Sequence, residues 1–166
     1  MILAIDPGNI ESGYVVIDEN LRPIESGKIS NGELRKKIYK KKFEGDINKF
    51  CIEKVASYGM AVGASVFETC EWIGIFKEAI ANSYMVMPKE IYRKDEKMNL
   101  CNSMKAKDSN IIQALIDRFA PNTPNKGKGS KKEPGWFYGF KKDIWQAYAV
   151  GVTYYDMYLK GEKLDE

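Results

Sequence analysis

The sequence contains no histidine among its 166 residues. This absence excludes zinc sites built on histidine, histidine general bases and Ser-His-Asp triads. A metal ion would have to be held by carboxylates, which favours hard cations such as Mg²⁺ or Mn²⁺. The three cysteines, Cys51, Cys70 and Cys101, are far apart and have no Cys-x-x-Cys spacing. This usage is typical of reduced thiols in a cytoplasmic protein, so we expect a cytoplasmic location.

Long apolar runs are also missing from the sequence. No run is long enough to cross a membrane, and the N-terminus lacks the basic-then-apolar pattern of a signal peptide, so we expect no membrane partner. The net charge is only +3, which by itself does not indicate a nucleic-acid-binding protein. The length and the ordinary globular composition, with 44% apolar and 30% charged residues, predict a single domain over residues 1–166.

The first eighteen residues, MILAIDPGNIESGYVVID, predict two strands joined by a tight turn. The first apolar run ends at Asp6, which Pro7 and Gly8 follow at once, and Gly13 opens the second apolar run. A carboxylate at the end of a strand is held rigidly and can face solvent or a metal ion. Asp6 can equally serve only to cap the turn before Pro7, and the pattern alone does not separate these interpretations.

The remaining pattern predicts alternating strands and helices. Residues 22–30 read as a third strand, and residues 50–56 read as a short buried strand that carries Glu53. We predict helices over 33–49, 63–81, 107–119 and 142–160, a further strand over 84–87, and no firm structure over 89–104. This order predicts an α/β fold with a mixed β-sheet of about five strands, the first three forming a meander, flanked by helices.

A basic segment separates the last two predicted helices. Residues 121–140 are rich in Pro, Gly and Lys and predict a mobile surface loop, whose lysines are Lys126, Lys128, Lys131 and Lys132. Trp136 and Phe137 follow these lysines. Aromatic side chains beside cations can stack on bases, but they can equally fold back onto the core, and the sequence favours neither alternative.

Three carboxylates stand at the ends of predicted elements. Asp6 and Glu53 end strands, and Asp143 begins the last helix, where it could simply stabilise the helix dipole. Together, the three can converge on divalent cations. Two such ions about 3.5–4 Å apart clamp the attacking and leaving oxygens of a phosphodiester, and this chemistry requires no histidine or cysteine.

The ordered motifs resemble the RuvC-type Holliday-junction resolvases of the ribonuclease H-like superfamily. AIDPGNIESGYVVID is similar to the family's first two strands, CIEKV to the strand that carries its second acid, and KKDIWQAYAVGV to its last helix. Asp143 matches the first acid of the family's Asp-x-x-Asp-Ala motif. Gln146 stands where the second acid is expected, which removes one negative charge from the site.

The resemblance implies a ribonuclease H-like nuclease that cleaves branched DNA such as Holliday junctions, with Mg²⁺ as cofactor and Mn²⁺ as a substitute. It implies a homodimer formed through helix 63–81 and no small-molecule substrate, and a standalone enzyme of this kind is typical of compact genomes such as those of phages. The implied metal ligands are Asp6, Glu53, Asp143 and Gln146, and the three acids are also the implied catalytic residues, with Lys107. The implied DNA contacts, beyond the basic loop, are Lys105, Lys107 and a candidate wedge residue, Tyr58.

Three alternatives remain open. A ribonuclease H-like domain that binds DNA with impaired or no cleavage is favoured by Gln146, which could also be an introduced inactivating substitution. A small RNA-processing nuclease of the same fold would differ only in its substrate. An actin-like or sugar-kinase ATPase also begins with a strand, an acid and a glycine-rich turn, but it needs far more than 166 residues.

Overall fold

A five-stranded mixed sheet lies at the centre of the protein, in a computed structural model that describes residues 1–161. The strand order is β3-β2-β1-β4-β5, so the first strand lies in the middle of the sheet. β2 is antiparallel to β1 and β3, whereas β1, β4 and β5 are parallel. The strands are β1 Ile2–Asp6, β2 Glu11–Ile17, β3 Pro23–Ser30, β4 Lys49–Lys54 and β5 Lys89–Tyr92.

Helices cover both faces of the sheet. They are α1 Asn31–Tyr39, α2 Ala64–Tyr84, α3 Arg93–Cys101, α4 Asp108–Phe119 and α5 Lys142–Tyr154, the last continuing into a π-helical turn, Tyr155–Leu159. Because strand side chains alternate between faces, Leu3 and Ile5 pack with α1 and α2, whereas Ile2 and Ala4 pack with α4 and α5. Within residues 1–161, no helix has both the length and the apolarity to cross a bilayer.

The predicted fold class is confirmed, and the misplaced helices and strands lie between residues 39 and 104. The predicted strand 84–87 is wrong, because α2 runs to Tyr84 and turns through Met85 in a left-handed conformation, so β5 starts at Lys89. The basic helix α1 ends at Tyr39 instead of residue 49, since Lys41 also has a positive φ of 50°. Residues 89–104, which carried no firm prediction, form β5 and α3.

The basic segment between α4 and α5 is anchored at its base. A short 3₁₀ turn, Asn125–Gly127, opens it, and the Phe137 N–H donates to the Gly127 carbonyl at 3.0 Å. Phe137 is fully buried and packs with Phe140 against the aromatic side chains of α5. Folding back onto the core is therefore the correct alternative for Phe137, and its predicted stacking on a base is wrong because no part of its ring is exposed.

Trp136 occupies an intermediate position. Its ring stacks on Phe119 with centroids 5.2 Å apart, and its indole N–H donates to the Tyr148 hydroxyl at 3.0 Å. Arg22 covers the ring at 5.3 Å from its centroid. Most of the stacking surface of Trp136 is therefore used within the protein.

Candidate active site at the carboxyl edge of the sheet

Asp6 and Glu53 lie side by side where two parallel strands end. Ile5 of β1 pairs with Ile52 of β4, so the following residues, Asp6 and Glu53, are neighbours, and both side chains point to the α5 face. The two carboxyl groups are close enough for the charge of Glu53 to act on Asp6. Burial, followed by the charges of Glu53 and Asp143, raises the pKa of Asp6 well above its ordinary value. Burial also raises the pKa of Glu53, against the opposing influence of Arg93.

Asp143 is brought to this pair by a close contact between α5 and β2. Gly13 faces Asp6 in the β1–β2 register, and a Cβ on Gly13 would lie 2.5 Å from the Asp143 carbonyl oxygen. Only glycine allows the first turn of α5 to approach the strand this closely. The contact explains why a glycine follows the turn after Asp6, and it brings Asp143 close to Asp6.

Lys28 completes the row across the first three strands. It faces Gly13 in the β2–β3 register, and its Nζ lies 2.8 Å from Asp143 Oδ2 and 3.6 Å from Glu11 Oε2. Lys28 was not predicted as a site residue, because a lysine in a loosely alternating strand is usually solvated. In this structure, Lys28 holds the carboxylate of Asp143.

Arg93 is the second cation of the site, and it is also absent from the sequence prediction. It follows β5 directly, and Ile91 of β5 pairs with Glu53. Its guanidinium donates hydrogen bonds to Glu96, Asp108 and the Oε1 of Gln146. Gln146 therefore lies at the predicted site, with its amide oxygen bonded to an arginine.

Glu96 is a buried carboxylate at the back of the site. Its Oε2 accepts from Arg93, and its Oε1 has no hydrogen-bond partner among residues 1–161. Burial, followed by the charge of Glu53, raises the pKa of Glu96 well above its ordinary value, while Arg93 opposes that shift. The one available signal in the sequence was an arginine and a glutamate three residues apart, a spacing that faces both side chains to one side of a helix.

The oxygen donors of this edge suit a hard divalent cation. Asp6 and Glu53 form a half-buried pair of carboxyl groups whose charges repel, and an ion between them would relieve both the desolvation and the repulsion. Asp143 is turned towards Lys28, and within residues 1–161 no three Asp, Glu or Cys side chains already form a complete metal-holding group. Asp6 and Glu53 would hold the ion. Asp143 would also bind it, once its carboxylate released Lys28.

Three of the predicted DNA-contacting residues, Tyr58, Lys105 and Lys107, border the same edge, whereas the base of the basic segment lies against Arg22 and Phe119, at the other end of the sheet. Tyr58 is 56% exposed in the loop after β4 and has a positive φ of 49°. Lys105 and Lys107 are exposed before α4, and the neighbouring Asp108 carboxylate is bonded to Arg93. In the basic segment, Lys126, Lys131 and Lys132 are exposed and Lys128 is half-buried.

The outer face of α2 leaves apolar surface uncovered. Phe67 is 61% exposed, and an open groove of about 720 Å³ runs between α1 and α2, lined by Arg35, Trp72 and Ile75 among others. Trp72 and Phe76 pack with ring centroids 5.6 Å apart, and Phe76 is fully buried. The helix therefore has an inner face in the core and a partly apolar outer face.

Comparisons with known proteins agree with this architecture. No protein-family model and no curated protein matches the sequence. Among solved structures, a Thermus thermophilus RuvC structure superposes with a TM-score of 0.64 at 15% identity, covering 94% of this chain and 95% of that one. T. thermophilus RuvC in complex with a Holliday junction substrate superposes with a TM-score of 0.63 at 12% identity, covering 92% and 91%. Together with the mixed sheet and its helices, these likenesses show that the chain has the RuvC-type, ribonuclease H-like fold.

Proposed function

We propose that the protein is a divalent-metal-dependent endonuclease that cleaves branched DNA such as four-way junctions. The observation that carries this proposal is the half-buried pair Asp6–Glu53 at the carboxyl edge, with Asp143 brought to it over Gly13. Perturbed carboxylates that converge in this way are typical of hydrolytic sites. The same three acids were predicted from the sequence as catalytic residues and metal ligands.

Branched DNA is the substrate class that the fold favours. One structural neighbour is RuvC in complex with a Holliday junction substrate, and the present chain aligns with it over 92% of its length. Lys105 and Lys107 supply positive charge beside the site, and the exposed lysines of the basic segment add further positive surface for a phosphate backbone. Tyr58 adds an exposed ring that can stack on a base at the branch point.

The reaction that this site would perform is phosphodiester hydrolysis. A water oxygen forms a bond to phosphorus while the bond from phosphorus to the leaving sugar oxygen breaks; the water loses one proton and the leaving oxygen gains one. The metal ion, when bound, would polarise the phosphate and lower the pKa of the water. Asp6, Glu53 and Asp143 would hold that ion, and Lys107 would balance charge on the phosphate.

A homodimer fits this activity. Symmetric cleavage of a two-fold junction requires two sites, and a closed two-fold interface supplies them. The outer face of α2, with its exposed Phe67 and the groove beside Trp72, is the surface we propose for that interface.

One observation favours a second candidate function, DNA binding with impaired or no cleavage. Gln146 stands where an acid is expected, and its amide oxygen is bonded to Arg93. A site with one carboxylate fewer and one arginine more attracts divalent cations less strongly. In that case, the protein would recognise a junction without cutting it.

Cleavage of matched DNAs separates the two functions. Four-way, three-way and linear duplexes of the same sequence are incubated with the chain in Mg²⁺ or in EDTA, beside the variant Asp6→Asn. The nuclease proposal predicts incision of the branched DNAs in Mg²⁺ and none in EDTA or with Asp6→Asn. Binding of the four-way junction without incision in either Mg²⁺ or Mn²⁺ would favour the second function.

A further inference from the structure

Arg93 is the cation around which this carboxylate edge is assembled. One guanidinium nitrogen donates to both Glu96 and Gln146, and the other donates to Asp108. The charges of Glu53 and Asp6 also act on it. The guanidinium therefore faces the residue that takes the place of the fourth acid.

The partners of Arg93 fix both its position and its charge. Glu96 has no exposed surface and is paired with Arg93, so removing either partner would leave the other buried without a counter-charge. Burial favours the neutral form of an arginine, but the surrounding carboxylates, Glu96 first, outweigh this effect and raise the pKa of Arg93. Arg93 therefore keeps its positive charge at the site.

We infer that Arg93 takes the place of a second divalent cation, so that the chain binds one ion through Asp6, Glu53 and Asp143. This inference rests on the proposed metal-dependent nuclease function. An ion at the oxygen of Gln146 would lie against the guanidinium, and that oxygen already accepts a hydrogen bond from it. The two-ion arrangement predicted from the sequence is replaced by one ion and one arginine.

The exchange preserves the electrostatic role of a second cation. Arginine presents several donors in a fixed geometry that matches phosphate oxygens, and it stays protonated at any working pH. Arg93 would therefore stabilise negative charge on the phosphate without donating its proton. Gln146, being neutral, positions the guanidinium without holding it as strongly as a carboxylate would.

Metal counting tests the inference without relying on cleavage. Mn²⁺ is titrated into the DNA-free chain by calorimetry, and the bound ions are examined by electron paramagnetic resonance. The wild-type chain should bind one Mn²⁺ with the spectrum of an isolated ion. The double variant Arg93→Gln/Gln146→Asp should bind a second Mn²⁺ at least about tenfold more tightly than wild type, with the spin coupling of two ions roughly 4 Å apart.

Two further variants make the count decisive. Arg118→Gln removes an arginine that pairs with Asp156 at 2.6 Å, about 15 Å along α4 from Asp108, and should leave the count at one. A triple variant that adds Glu96→Gln removes the carboxylate that loses its partner, and its melting temperature verifies that it folds. It should also bind two ions.

Three results would overturn the inference. The first is two coupled ions in the wild-type chain, and the second is a single ion in both folded Arg93 variants. The third is no bound ion in the wild-type chain, which would also contradict the metal dependence of the proposed nuclease. One bound Mn²⁺ without any cleavage of a four-way junction would refute the proposed nuclease activity and leave the single-ion site standing.

Discussion

Replacing Gly13 by alanine tests whether Asp143 works through its position above β2. The added Cβ would lie 2.5 Å from the Asp143 carbonyl oxygen, whereas an ordinary contact begins near 3.4 Å, so the start of α5 must retreat by about 0.9 Å. A misplacement of about 1 Å in a catalytic group costs on the order of 10²-fold in rate, or about 2.7 kcal/mol. We therefore expect Gly13→Ala to cleave a four-way junction about 100-fold more slowly than wild type in Mg²⁺.

The same substitution should affect stability only moderately. Overpacking of this kind costs about 1–3 kcal/mol, which denaturant unfolding measures. Gly151→Ala is the matched control, because it lies on the same helix, about 12 Å along the axis from Asp143, and its Cβ would meet the flexible end of Ile17 at 2.4 Å and the Ala4 Cβ at 3.1 Å. It should be destabilised to a similar degree or less, with turnover per folded molecule within about twofold of wild type. Wild-type turnover by Gly13→Ala, or an equal loss in Gly151→Ala, would refute the positional argument.

Three other predictions concern charge, DNA contact and assembly. Because the pKa of Asp6 is raised in the fold, this carboxyl group destabilises the metal-free chain. The penalty is absent below the ordinary pKa of 3.8 and is complete once the pH exceeds the raised pKa. Asp6→Asn should therefore abolish cleavage yet raise the metal-free melting temperature at neutral pH, and an unchanged or lower melting temperature would contradict it. Neutralising the four loop lysines should weaken junction binding across all sequences and flatten its salt dependence more than neutralising the lysines in and just after α1, which are Lys36, Lys37, Lys40 and Lys41. Binding measured at several salt concentrations checks the order, and the reverse order would place DNA on the other face. Light scattering at micromolar concentration should show a dimer that Phe67→Glu converts to a monomer, and a wild-type monomer would contradict the proposed interface.

The carboxylates were predictable because each stands at a boundary that the sequence marks. Asp6 precedes Pro7 and Gly8, and Glu53 ends a short apolar run, so periodicity and turn residues placed both at strand ends. The parallel pairing of β1 and β4, which brings these two ends together, was not predicted from the sequence. Their proximity then follows from the strand order.

The two cations of the site could not be predicted in the same way. Arg93 lies in a polar stretch without periodicity, and α3 forms there because Glu96 is buried against the site, which is a tertiary effect. Lys28 is an ordinary strand lysine until the α5 start brings Asp143 within 2.8 Å. The position of Phe137 could not be predicted either, since an aromatic residue beside lysines has the same local pattern whether it faces DNA or the core.

The buried aromatic anchors of the basic segment have a consequence for the thermodynamics of association. A free loop of twenty residues loses about 1–2 kcal/mol of backbone entropy for each residue that a ligand immobilises. Here Phe137 and Phe140 fix the base of the segment against Trp145 and Tyr148 of α5, so much of that ordering is complete once the chain has folded. The exposed tip around Lys131 and Lys132 is itself closed by a hydrogen bond from the Ser130 N–H to the Glu133 carbonyl at 2.9 Å, which leaves little backbone freedom for a polyanion to remove. When phosphate binds to these lysines, little backbone entropy is therefore lost to offset the electrostatic attraction.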